Sequence, residues 1–160
     1  MRQFLTNCEK IEYLAATAYR RLAANRGYDS HIRETFQALN KDEMAHARLV
    51  NLIQHLPGQD LEIVGQMAQE DGNVSLIFAQ ALLEVIDKEN LTEVDALLMA
   101  IDLEKCFIKF HVNNAIDFHN PRIARLFKKL GHADQKHLDR LLSCLHWWGK
   151  IKRKDPSKMG

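Results

Sequence analysis

Two short spacings in this 160-residue chain pair a carboxylate with an imidazole three residues further on: Glu43 with His46, and Asp134 with His137. On an α-helix, residues three apart share a face, so each pair can offer an oxygen and a nitrogen donor to one cation. Two more carboxylates, Glu12 and Glu104, stand alone in other segments, at positions where the apolar periodicity demands a core residue. Burying an unpaired carboxylate is costly, and four of them facing one another need positive charge between them. The seams hold no Arg or Lys at those levels to supply it. The expected chemistry is therefore a two-metal site with Glu12, Glu43, His46, Glu104, Asp134 and His137 as ligands. A single Glu-x-x-His is more often a solvated helix face. Two such pairs in register with the seams, joined by two lone seam carboxylates, are not explained that way.

These residues need helices to present them. With only 7 Gly and 3 Pro, and with Ala, Leu, Glu, Lys and Gln plentiful, the sequence favours an all-α fold. Apolar residues at Leu5, Cys8, Ala15, Tyr19 and Leu22 give the inner seam of a first helix. Asp29 or Ser30 caps a second, whose seam runs Ile32, Phe36, Leu39, Val50 and Ile53 until Pro57-Gly58 stops it. The stretch from Leu56 to Asn90 is too long for a hairpin and is broken at Gly65 and Asp71-Gly72; it reads as a crossover with its own helix over Val74 to Lys88, carrying Ile77, Leu82, Leu83 and Ile86 on one side. A third bundle helix starts near Thr92, where Thr92-x-x-Asp95 resembles a capping box, and its seam is Val94, Leu97, Ile101, Ile108, Ala115 and Phe118. Asn120-Pro121 opens a fourth, with Ile123, Phe127, Leu130, Leu141, Cys144 and Trp148 inward and Gly149 as its end. The expected architecture is an antiparallel four-helix bundle over residues 1–149, with a long crossover between the second and third helices and a flexible basic tail over 150–160.

An internal repeat runs through the site: Phe36, Leu39, Glu43 and His46 recur 91 residues later as Phe127, Leu130, Asp134 and His137, and Glu12 recurs 92 residues later as Glu104. A doubled helical hairpin would set two similar half-sites about a pseudo-two-fold axis. Two further polar seam residues, Tyr19 and His111, lie two turns beyond Glu12 and Glu104; each is either a hydrogen-bonding partner behind the ligands or a core residue with a satisfied polar tip. The remaining histidines, His31, His55, His119, His132 and His146, fall off the seams and are expected on the surface.

Other features argue against competing classes. A net charge of +1 gives no overall field for nucleic acid or an anionic membrane. Met1 to Lys10 has no apolar stretch of signal or membrane length, and three scattered cysteines, Cys8, Cys106 and Cys144, suit reduced thiols, so a cytoplasmic setting is expected. Trp147-Trp148, followed by basic residues, is better explained as a packed helix end than as a membrane or nucleic-acid contact.

The ligand set matches that of di-iron and di-manganese carboxylate bundles, and the motifs go further. Glu12-x-x-Ala15-x-x-x-Tyr19, Phe36 seven residues before Glu43, and the run Asp42-Glu43-Met44-Ala45-His46-Ala47 resemble the rubrerythrin branch of the ferritin-like superfamily. The resemblance covers residues 5 to 148. It implies a ferritin-like bundle binding two Fe ions that reduce hydrogen peroxide or dioxygen, working as a homodimer. Mn or Zn is also compatible with these donors. Three departures stand out. Asp134 occupies a place where the family usually has Glu. Phe107 stands one turn after Glu104, where a further Glu taking part in redox-linked metal movement is common. No cysteine-rich rubredoxin module is present, so a peroxidase would need a separate electron-donor protein. Iron oxidation and storage, a di-iron hydroxylase and a structural bundle are the competing functions.

Overall fold

The computed structural model describes the backbone of residues 2–55, 67–88, 90–116 and 120–154, with side chains described over 4–55, 73–88, 90–113 and 120–151. Those residues form five helices: α1 (Arg2–Ala24), α2 (Ser30–Gln54), α3 (Met67–Lys88), α4 (Glu93–Ile116) and α5 (Pro121–Lys154). Hairpins α1/α2 and α4/α5 make the bundle, α2 also meets α5, and α3 lies in the crossover against α1 and α4. This is the expected all-α, ferritin-like arrangement with its long crossover.

Local chemistry sets the helix ends. The Asp29 side chain accepts from the His31 N–H at 2.8 Å, satisfying one of the free donors at the start of α2. Thr92 and Asp95 form the reciprocal capping box: Asp95 N–H donates to Thr92 Oγ1 at 3.2 Å and Thr92 N–H to Asp95 Oδ2 at 3.4 Å. Asn120 accepts from the Arg122 N–H at 2.9 Å ahead of Pro121, the first residue of α5. At one end of the bundle the hairpins are tied by Glu93, whose two oxygens accept from Asp29 N–H at 2.6 Å and from Trp148 Nε1–H at 2.7 Å.

The core is continuous and largely follows the expected seams, with Leu5, Cys8, Ala15, Tyr19, Leu22, Ile32, Phe36, Leu39, Val50, Leu97, Ile101, Ile123, Phe127, Leu130, Leu141 and Cys144 all buried. On α4 the buried face is wider than the seam. Leu103, Phe107 and Phe110 are buried while Val94 and Ile108 are only half-buried, because this helix packs against both α5 and α3. Ile53 and Trp148 are also half-buried, and Ala115 and Phe118 lie outside the described side chains.

Three expectations are corrected. The helix in the crossover begins at Met67, so Asp71-Gly72 lies inside it and does not break it; an interior glycine costs a helix only about 1 kcal/mol. Its inner face is Ser75, Ala79 and Leu82, with Leu83 and Ile86 half-buried against the core as expected, and Ile77 is turned outward and exposed. Gly149 does not end the last helix, which continues to Lys154, so the tail expected from residue 150 is helical over its first turn. Nothing lies within 4 Å of where a Cβ on Gly149 would be, so the glycine is not required by packing. Pro57-Gly58, Gly65, His119 and residues 155–160 lie outside the described residues. None of the described helices is long and apolar enough to cross a membrane.

Candidate metal centre

Each bundle helix turns a charged side chain into the core: Glu12 from α1, Glu43 and His46 from α2, Glu104 from α4, Asp134 and His137 from α5. The spacing explains the convergence. Residues three apart on α2 and on α5 face the same axis, and the two lone carboxylates sit at seam positions of the helices that flank them. Glu12, Glu43, Glu104 and Asp134 are fully buried, His137 nearly so, and His46 keeps 13% of its side chain exposed.

These six residues fall into two groups whose donor atoms lie within 4.8 Å of one another: Glu12, Glu43 and His46, and Glu43, Glu104, Asp134 and His137. Glu43 belongs to both. Its Oε2 lies 3.1 Å from His46 Nδ1 and its Oε1 2.9 Å from His137 Nδ1. His46 Nδ1 is also 3.7 Å from Glu12 Oε2, and His137 Nδ1 is 3.5 Å from Glu104 Oε2. The two imidazoles stack with centroids 5.5 Å apart. All six residues expected from the sequence are brought together.

The two polar residues left open by the sequence both touch the cluster. Tyr19 donates to Glu104 Oε1 at 2.5 Å. His111, fully buried on α4, places Nδ1 2.6 Å from Asp134 Oδ2 and Nε2 3.1 Å from Glu12 Oε1. Asp42 was not expected to take part. Its Oδ2 lies 3.4 Å from both His137 Nε2 and Arg140 Nη1, at the more exposed side of the site. The available signal was modest: Arg140 follows His137 by three residues and so shares its face. His31, His55, His132 and His146 are exposed, as expected.

Electrostatics show what the cluster lacks. Buried oxygens on Glu12 (both), Glu43 (Oε1), Glu104 (Oε2) and Asp134 (Oδ1), together with His111 Nε2 and His137 Nδ1, have no aligned hydrogen-bond partner. Close approaches such as His137 Nδ1 to Glu43 Oε1 are charge contacts whose angles are poor for hydrogen bonding. Orphaned buried groups on this scale are rare unless something else satisfies them. Without metal, protons take that role. Burial alone would lower His46, but Glu12 and Glu43 hold it up at about 11. Burial opposes charge on His137 and His111 too, yet Glu104 and Glu43 raise the first to about 10 and Asp134 and Glu12 raise the second to about 10. Burial pushes Glu104 up to about 8, with His137 opposing and Glu43 and Asp134 adding to the rise. Glu12 goes the other way: burial would raise it, but His111 and His46 bring it down to about 2.

A metal pair fits this donor set. Fully ionised, the four carboxylates carry four negative charges, which two divalent cations balance while the imidazoles stay neutral and donate nitrogen. The unpartnered atoms are oxygen and imidazole nitrogen, donors suited to first-row divalent metals.

A family model described as Rubrerythrin matches residues 3–145. Searches of curated proteins and of solved structures returned no match. The matched segment takes in all six clustered residues, Tyr19 and His111, and the chain belongs to the rubrerythrin family.

Proposed function

We propose that this chain is a non-haem di-iron oxidoreductase that reduces hydrogen peroxide or dioxygen. The observation that carries the reading is the pair of donor groups sharing Glu43 at the centre of the bundle, with its unpartnered buried oxygens and nitrogens. Glu12 and His46 would hold one ion, Glu104, Asp134 and His137 the other, and Glu43 both. When bound, the two ferrous ions supply the two electrons that, with two protons, convert peroxide to two waters.

The protein's own residues do the rest. The hydrogen bond from Tyr19 fixes one oxygen of Glu104 and leaves Oε2 facing His137. The aromatic and aliphatic side chains around the cluster, among them Phe36, Phe107 and Phe127, exclude bulk water and strengthen every charge contact inside. His46 is the most exposed member and, with Asp42 and Arg140, marks the side from which a small oxidant enters. Electrons return from a separate donor protein, and a homodimer is the working assembly.

The test is anaerobic loading with ferrous iron followed by rapid mixing with peroxide or with oxygenated buffer. The reading expects stoichiometric iron oxidation by at least one oxidant. Iron that binds and reacts with neither would overturn it.

A further inference from the structure

Seven residues after its lone carboxylate, each of α1 and α4 carries a polar side chain that reaches the carboxylate of the other: Tyr19 touches Glu104, and His111 touches Glu12. The two contacts cross-brace the hairpins about the pseudo-two-fold axis, but they are not equivalent. A phenol has one polar atom, whereas an imidazole has two on opposite sides of the ring. His111 uses the second to contact Asp134 as well, at 2.6 Å through Nδ1.

Several observations surround this contact. The His111 ring cannot easily turn away, being packed among Phe107, Phe110 and Phe127 with centroids 5.1–6.2 Å off. Gly131, one turn before Asp134, lets α5 come close to α4 here: a Cβ at 131 would lie 3.0 Å from Val112 Cγ2 and 3.6 Å from His111 Cβ. Asp134 is one methylene shorter than glutamate. One of its oxygens is occupied by His111, and the other, Oδ1, is buried with no partner.

We propose that His111 is a positioning residue that holds Asp134 by one oxygen and leaves the other free for metal, so that His111 and the short Asp134 work as one unit bridged to Glu12. This rests on the two-metal reading above. Asp134 then acts through a single oxygen, and the half-site it belongs to depends on the orientation that His111 imposes. Partners of this kind, lying behind a ligand, typically change metal affinity 10- to 100-fold when removed.

Isosteric substitutions separate the two ring nitrogens. His111→Asn places an amide N–H near the position of Nδ1 and keeps the bond to Asp134. His111→Gln reaches toward the position of Nε2 and keeps only the contact with Glu12. His111→Phe loses both. Full-length protein is titrated with Co(II), following both affinity and the visible ligand-field spectrum, which reports coordination number. The expected result is two ions in the wild type, a second ion weakened 10- to 100-fold with an altered spectrum in the Gln and Phe variants, and near-wild-type binding in the Asn variant. In an Asp134→Glu background, whose longer carboxylate reaches inward on its own, the His111→Phe loss should shrink to less than about threefold. If the Phe variant does not fold, the Asn and Gln pair decides. A wild type that binds two ions while the Gln and Phe variants match it in affinity and spectrum overturns this inference alone. Equal losses in the Asn and Gln variants do the same, since simple packing would produce them. A wild type that takes up no cobalt overturns the two-metal reading and this inference with it.

Discussion

Glu43 is the residue on which both halves of the site depend, so replacing it should cost both ions, while replacing His46 should cost one. Its two oxygens face His46 at 3.1 Å and His137 at 2.9 Å, and it belongs to both donor groups. Glu43→Gln keeps the size and removes the charge. At a free metal concentration about 100 times Kd, each ion that binds only the folded state adds about 2.7 kcal/mol. In a domain of this size 1 kcal/mol is worth roughly 2–4 °C in Tm, so each ion should raise Tm by about 5–11 °C and the pair by about twice that. Thermal unfolding followed by far-UV circular dichroism, with and without Co(II), reads this directly. The wild type should show the full shift, His46→Ala about half of it, and Glu43→Gln little or none. The metal-free Glu43→Gln protein should still fold, because His46 and His137 each keep a second carboxylate, Glu12 at 3.7 Å and Glu104 at 3.5 Å. A Glu43→Gln protein with the full shift would show that the two groups do not share Glu43 as a common ligand, and a His46→Ala protein with none would contradict a site in which His46 serves one ion alone.

Four further outcomes are expected. His46, His111, His137 and Glu104 all have raised proton affinities in the metal-free fold, so the stability they add is present at acidic pH and is lost as pH climbs, from about 4.5 to 8 for Glu104 and from about 6.5 towards 10 to 11 for the histidines. Metal-free protein should therefore melt at progressively lower temperature over that range. Glu12 opposes only at the acid end, where its contribution fades as pH falls below about 4.5 towards 2. Metal uptake at pH 7 should release about three to four protons per chain, measured by calorimetry in buffers of different ionisation enthalpy; uptake without proton release would contradict the assigned proton holders. Tyr19→Phe removes the donor to Glu104 and should weaken the ion held by Glu104, Asp134 and His137 by about 10-fold or more, with the fold intact by circular dichroism. Gly149→Ala should stabilise the protein by about 0.5–1 kcal/mol, since the position is helical with open space around it; a lower Tm would mean that α5 ends where the sequence suggested.

Much of this site is legible in the sequence because a bundle core tolerates so few charges. Each buried carboxylate breaks an otherwise apolar period, and a break at Glu12, Glu43, Glu104 or Asp134 is conspicuous for that reason. The helix starts were legible at Asp29, Thr92 and Asn120, where a side chain must satisfy free backbone donors. What failed were glycine signals: Gly72 and Gly149 each sit inside a helix, because a cost of about 1 kcal/mol is easily outweighed by the residues on either side. Tertiary geometry was not legible. That His111 would contact both Asp134 and Glu12, and that Asp42 would join His137 to Arg140, depends on how closely α5 approaches its neighbours, which periodicity within a single helix does not encode.

The most direct test of the central claim is an anaerobic ferrous titration of the purified chain beside a Glu43→Ala, His46→Ala variant, followed by addition of peroxide. Two ferrous ions bound per chain, binding lost or strongly reduced in the variant, and oxidation of both ions by peroxide are the predicted results. A chain that binds no ferrous iron, or binds it equally well without Glu43 and His46, would contradict the account and return the buried carboxylates to a purely structural role.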